Sequence, residues 1–201
     1  MRRTSISCGR SVGDYSGPLR QILHALKYDG RISLSRDLGL LMQTHGRAVL
    51  TGADLVVPVP LHWLRQWRRS FNQAAELARG LGLPVAHALR RRRHTRSQTD
   101  LPAVERQKNV RDAFVIRRGR QGRCVEGACV VLVDDVSTTG ATLEACASVL
   151  IRAGAREVRT LTAARVVTRV PGEPPSARLP SNDHPVREAS STVPPARGSS
   201  S

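Results

Sequence analysis

Aromatic residues are nearly missing from this 201-residue chain: two Trp, two Tyr and two Phe make up 3% of it, so a core must be filled by Leu, Val, Ile and Ala. Lysine is as scarce. Lys27 and Lys108 are the only two, and the formal charge of +16 is carried almost wholly by arginine. The four cysteines, Cys8, Cys124, Cys129 and Cys146, are too sparse for the disulfide scaffold of a secreted domain, so reduced thiols are expected. Cys124 and Cys129 form one pair without a second, weak ground for a zinc site. No run reaches the roughly 18 apolar residues of a membrane span, and the opening MRRTSISCGR has basic residues with no apolar stretch behind them. These absences predict a cytoplasmic protein with no membrane association. A Gly-x-x-x-x-Gly-Lys loop is missing too, which excludes the Walker type of phosphate site.

With 40% apolar residues the chain can bury one core. The pattern predicts an irregular N-terminus over residues 1–14, a folded domain over 15–168 and a disordered tail over 169–201, where Pro, Ser, Arg and Gly replace any apolar period. The charge is unevenly spread. Residues 65–123 hold 16 basic and 4 acidic side chains, a surplus of 12 in under a third of the chain. Such a concentration attracts polyanions, either nucleic acid or a pyrophosphate-bearing substrate. Taken singly, most of these arginines fit a solvated face equally well.

The most informative stretch is VVLVDDVSTTGATL, residues 130–143. Four β-branched or apolar residues read as a strand buried on both faces, and the run ends in two carboxylates, Asp134 and Asp135. Ser137, Thr138, Thr139, Gly140, Ala141 and Thr142 then offer hydroxyls and backbone N–H groups where a helix begins, an arrangement that wraps a phosphate dianion. Carboxylates only accept hydrogen bonds, so a ligand with two adjacent hydroxyls near its phosphate suits both halves. A ribose 5-phosphate has that layout. An ordinary helix cap needs one such residue and not the whole run.

Around that centre the periodicity predicts a helix from Pro18 with Leu19, Ile22, Leu23 and Leu26 on one face, ending at Gly30. A second helix carries Leu34, Leu38, Leu41 and Met42 toward the core. Asp54 to Val57 reads as a strand leaving the core at Pro58 and Pro60, followed by a loop with His62, Trp63, Trp67 and three arginines. Ser70-x-x-Gln73 fits a capping box for the next helix. Residues 83–89 read as one or two short strands. A polar segment then precedes Val110, of the length usually found in lids or binding loops. Ala113 to Ile116 reads as a strand, and residues 117–126 as a basic hairpin-like loop. After the central loop, Leu143, Ala147, Leu150 and Ile151 mark a helix face, with a final strand over residues 158–167. Alternating strands and helices imply an α/β fold: an open, mostly parallel sheet flanked by helices.

The 130–143 stretch resembles the fingerprint of the type I phosphoribosyltransferases. Three further stretches are similar to the ComF family, also called competence protein F-like or GntX-like: YSGPLRQILHALKYDG, VVPVPLHWLRQWRRSFNQAAELA, and the series Arg92, Thr95, Gln98, Leu101, Arg106, Asn109 and Val110 leading into Ala113-Phe114. Together they span residues 15 to about 167. One departure stands out. Members commonly begin with a cysteine-rich zinc-binding module, of which only Cys8-Gly9 remains here, so the expectation is either a truncated start or a member without it, and no protein-bound metal.

The resemblance implies a type I fold and transfer of a phosphoribosyl group to or from a nitrogenous base. Asp134 and Asp135 would hold the 2- and 3-hydroxyls of phosphoribosyl pyrophosphate or a nucleotide, and residues 137–142 its 5-phosphate. Magnesium (Mg2+) would enter with the substrate. Pro58, Val59, Pro60 and Leu61, with Arg65 or Arg69, would cradle pyrophosphate, and Arg92, Arg93 and Arg96 would belong to a lid. The resemblance also admits a non-catalytic protein of DNA uptake, engaging single-stranded DNA or a competence-helicase partner, and a homodimer. The acceptor base is unreadable.

Overall fold

The computed structural model describes residues 4–28, 33–61, 71–92 and 113–167. The chain divides into two units, Met1–Val167 and Thr168–Ser201. The second unit, with the expected disordered tail, lies outside the described residues, as does most of the expected lid.

Four strands form one wholly parallel sheet: β1 (Cys8–Asp14), β6 (Glu157–Arg165), β5 (Cys129–Ser137) and β2 (Leu55–Pro58), side by side in that order. Between β1 and β2 run three helices, α1 (Gly17–Tyr28), α2 (Ser33–His45) and the single turn α3 (Arg47–Leu50). After β2 come α4 (Gln73–Arg79), the antiparallel pair β3 (Leu89–Arg91) and β4 (Phe114–Ile116), and the short α5 (Arg120–Arg123). Helix α6 (Ala141–Arg152) links β5 to β6. A parallel bridge between Val56 and Val85 extends the sheet beyond β2.

Both faces of the sheet are covered, which is why β5 is apolar without alternation. Val130 and Leu132 pack with Leu143, Cys146, Ala147 and Leu150 of α6 and with Leu89 and Phe114. On the opposite face Val131 and Val133 pack with Leu23 and Leu26 of α1, Leu38 and Met42 of α2, and Leu77 of α4. Large aliphatic side chains fill both layers, as the shortage of aromatics requires.

Several expectations need correction. Residues 8–14 are not irregular but form an edge strand paired with β6, in register Gly9 to Thr160. Their local pattern hides this. The strand carries two glycines and its N-terminal half is exposed, and a Cβ on Gly9 would run into Thr160 Oγ1, so glycine answers a neighbour distant in sequence. Leu41 is 46% exposed and Ile151 39%, so neither belongs to the core; Gly39 and Ala147 occupy the packed sides of their helices. The helix after β2 is capped by Asn72, whose side chain accepts from Ala74 N–H, rather than by a box from Ser70. Residues 117–126 contain the α5 turn instead of a hairpin-like loop.

Candidate functional site

Ligands in open α/β sheets bind outside the carboxyl ends of adjacent strands whose connections leave toward opposite faces. Here those strands are β2 and β5. The chain leaves β2 for α4, on the face of Leu77, while β5 continues into α6 on the other face. The two strands also differ in length. β2 ends at Pro58, opposite Val133, and Val59 N–H closes its ladder on Val133 C=O at 2.9 Å, whereas β6 runs on beside β5 to Ser137. Asp134 and Asp135 are therefore inside β5, not after it, and stand where one neighbouring strand has stopped.

Being consecutive strand residues, the two acids project to opposite sides of the sheet. Asp134 follows Leu132 toward α6, and its charge is felt at the buried Cys146 thiol. Asp135 follows Val133 toward α1, where its Oδ2 lies 2.7 Å from Lys27 Nζ. Backbone N–H groups hold both: Asp135 N–H donates to Asp134 Oδ1 at 2.9 Å, and Val136 N–H to Asp135 Oδ1 at 2.7 Å. Burial, followed by the charge of Asp135, pushes Asp134 up to about 8, against the opposing pull of that N–H and of Lys27. At neutral pH Asp134 is therefore driven toward its protonated form, while Lys27 lies against Asp135. Burial and the nearby Asp134 raise Cys146 well above the usual thiol range, so it remains a protonated packing residue, not a nucleophile.

Beyond the acids the chain turns into α6. Gly140, at its N-cap, has φ 73°, in the left-handed region that glycine adopts without strain. Thr139 Oγ1 accepts weakly from Ala141 N–H at 3.4 Å. Thr138 and Thr139 are exposed, and Ser137, Ala141 and Thr142 are half-buried. The one acid in the first turn of α6, Glu144, would repel an anion, but its carboxylate is engaged elsewhere. It accepts from Ser5 N–H at 2.7 Å and from Thr4 Oγ1 at 2.9 Å.

Of the expected pyrophosphate loop, Pro58 and Val59 are buried and Pro60 and Leu61 half-buried. Asn72 Nδ2 donates to Val59 C=O at 3.1 Å, fastening this loop to α4. Arg92 is exposed, with its N–H donating to Ala113 C=O at 2.7 Å. Arg65, Arg69, Arg93 and Arg96 lie outside the described residues. Three residues near the strand ends were not singled out by the sequence. Lys27 belongs by pattern to a packing helix, although one of only two lysines in an arginine-rich chain is a usable signal. Arg91 lies over the Phe114 ring, 5.3 Å from its centroid, and its charge reaches Cys146 beneath Asp134. Gln73 is 1% exposed, yet neither its amide nitrogen nor its oxygen has a partner among the described residues.

A buried amide without partners is costly, whereas an apolar side chain of the same shape is not. Gln73→Met is accordingly expected to raise the melting temperature by roughly 2–4 °C, the equivalent of about 1 kcal/mol in a domain of this size. A thermal melt showing a lower value would mean that the amide holds a bond in the folded protein.

Residues 67–191 match the family described as Phosphoribosyl transferase domain. The DNA utilization protein YhgH of Escherichia coli (strain K12) is 36% identical over 159 residues, covering 74% of this chain and 68% of that protein. Competence protein F of Haemophilus influenzae is 32% identical over 164 residues, covering 77% and 71%. The chain belongs to the ComF family of the phosphoribosyltransferase superfamily. Its parallel sheet with helices on both faces is the phosphoribosyltransferase-like fold expected of a ComF protein. The solved structure of the allosteric regulatory enzyme of purine biosynthesis resembles it over 64% of this chain and 26% of that one, at 27% identity and a TM-score of 0.42. The acid pair and Gly140 turn of this ComF chain lie within the matched family segment, and Lys27 lies outside it.

Proposed function

We infer that the strand end binds phosphoribosyl pyrophosphate, or a nucleoside 5-monophosphate, together with magnesium, and transfers the phosphoribosyl group to or from a nitrogenous base. The observation that carries this reading is the run from Asp134 to the Gly140 turn, set at the point where the β2 and β5 connections part. Two acids meet a vicinal diol, and the first N–H groups of α6 meet a phosphate. Positioning of sugar and base, and a carboxylate close to positive charge growing on the ring, would supply most of the acceleration. Asp134 and Asp135 act there as acceptors and electrostatic partners, while residues 137–142 orient the sugar.

Magnesium fits as a companion of the pyrophosphate. Among the described residues no group of three or more His, Cys, Asp or Glu side chains could cage a metal, and this ion keeps several waters and prefers substrate phosphates to an all-protein site. Bound, it would neutralise leaving-group charge. Pro58 to Leu61 would face that group from β2.

A second reading draws on the relatives named for competence and DNA utilization and on a basic surface. Arg90, Arg92, Arg117, Arg118, Arg120 and Arg123 are all exposed on or beside β3, β4 and α5. Single-stranded DNA would meet them through its phosphates, with strong salt dependence and little base preference. One experiment separates the readings: pyrophosphate release from phosphoribosyl pyrophosphate with magnesium and a panel of bases, beside a salt series with single-stranded DNA. Base-dependent release supports transfer. Salt-sensitive DNA binding with neither release nor sugar-phosphate binding would leave only the second reading.

A further inference from the structure

The Lys27–Asp135 ion pair is not required by anything in the phosphate loop. An acid meant to receive a ligand hydroxyl gives up acceptor capacity by taking an ammonium, and a helix C-terminus such as that of α1 can place its cation anywhere in the last turn. This one is directed into the strand end. Lys27 follows Leu23 and Leu26, both fully buried against Val131 and Val133, so α1 is held firmly on the face from which Asp135 projects. The paired side chains keep 17% and 16% of their surface, closed enough to strengthen the attraction and open enough for a small molecule to reach them.

The consequence for Asp135 is geometric. Val136 N–H holds Oδ1 and Lys27 holds Oδ2, so its carboxylate is fixed through both oxygens, whereas Asp134 has no cation against it at ion-pair distance among the described residues. Each carboxylate oxygen has two lone pairs, so a hydroxyl can still be accepted after the ammonium has docked.

We propose that Lys27 is the positioning residue of this site: it holds the Asp135 carboxylate oriented toward the ribose hydroxyls. The inference rests on the sugar-phosphate reading given above. A merely structural lysine would anchor α1 and influence stability alone. A lysine that simply attracts anions would act on any phosphate.

Calorimetric titration with ribose 5-phosphate and, separately, inorganic phosphate distinguishes these roles in the parent protein, Lys27→Met, Lys27→Arg, Asp135→Asn and the Lys27→Met/Asp135→Asn double variant. Loss of the ammonium weakens ribose 5-phosphate binding roughly tenfold, as expected when one hydrogen bond from a ribose hydroxyl to a charged carboxylate is loosened. Inorganic phosphate binding stays within about twofold, because the Gly140 turn that meets it is untouched. Lys27→Arg recovers most of the affinity, and Lys27→Met adds nothing once Asp135 is asparagine. Equal losses for both ligands, a full additional loss in the Asp135→Asn background, or a lower melting temperature with unchanged affinity would each overturn the proposal. Failure of the parent itself to bind ribose 5-phosphate would instead remove the reading on which it rests.

Discussion

Replacing Asp134 and Asp135 together by asparagine is expected to weaken binding of phosphoribosyl pyrophosphate with magnesium by about a hundredfold or more. Two hydrogen bonds to the diol are weakened, worth about 1.5–3 kcal/mol where the carboxyl is charged and about 0.5–1.5 kcal/mol where it is protonated, and amides of the same shape recover only part of that. Shape is not the issue. Asparagine Oδ1 can still accept the N–H groups of Asp135 and Val136 that now hold the carboxylates, so the strand end keeps its course. Calorimetry reads the effect directly, with inorganic phosphate as the control for the intact loop. A double variant that binds the activated sugar as tightly as the parent would show that the acids have another role.

The single change Asp134→Asn carries the second large effect, on stability and its pH dependence. In the folded chain this carboxyl titrates near 8, against an ordinary value of 3.8. Between those values the native state keeps a proton that the unfolded state has released, so unfolding is increasingly favoured as pH rises through this window, and the penalty is constant above it. Asparagine cannot ionise and is exempt. The melting temperature of Asp134→Asn should therefore exceed the parent's by a margin that grows with pH, larger at pH 8 than at pH 5 by roughly 6–10 °C, or about 2–3 kcal/mol. Thermal melts at several pH values test this. A margin that stays flat from pH 5 to pH 8 would mean that Asp134 ionises like an exposed acid. The two predictions support each other, since a variant that binds less while melting higher has not lost its ligand by unfolding.

This opposition of stability and binding is a property of the site as a whole. A carboxyl driven toward its neutral form by burial and an amide at Gln73 with no partner among the described residues both cost folding energy where two strand connections diverge. Such costs are tolerated where a ligand will repay them. The ion pair of Lys27 works the other way, returning part of the penalty that the adjacent carboxylates impose.

Much of this was legible from local pattern. The β-branched run into Asp134 and Asp135, the small-residue turn through Gly140 and the apolar stripes of α1 and α6 announce themselves, because strand alternation, helical period and glycine's freedom at positive φ are properties of neighbouring residues. They located the candidate site and the parallel sheet. Tertiary structure alone decided the rest. The β1 strand exists because β6 offers it a ladder, not because CGRSVGD favours extension. Leu41 and Ile151 share a period with core residues but stay exposed, and Asn72 caps its helix while Val59 C=O fixes its amide. The two acids, adjacent in sequence, were separated onto opposite faces, one raised by burial above Cys146 and the other paired with Lys27, 108 positions earlier. Charge, unlike periodicity, depends on what the fold brings within a few ångströms, and no window along the chain contains both members of that pair.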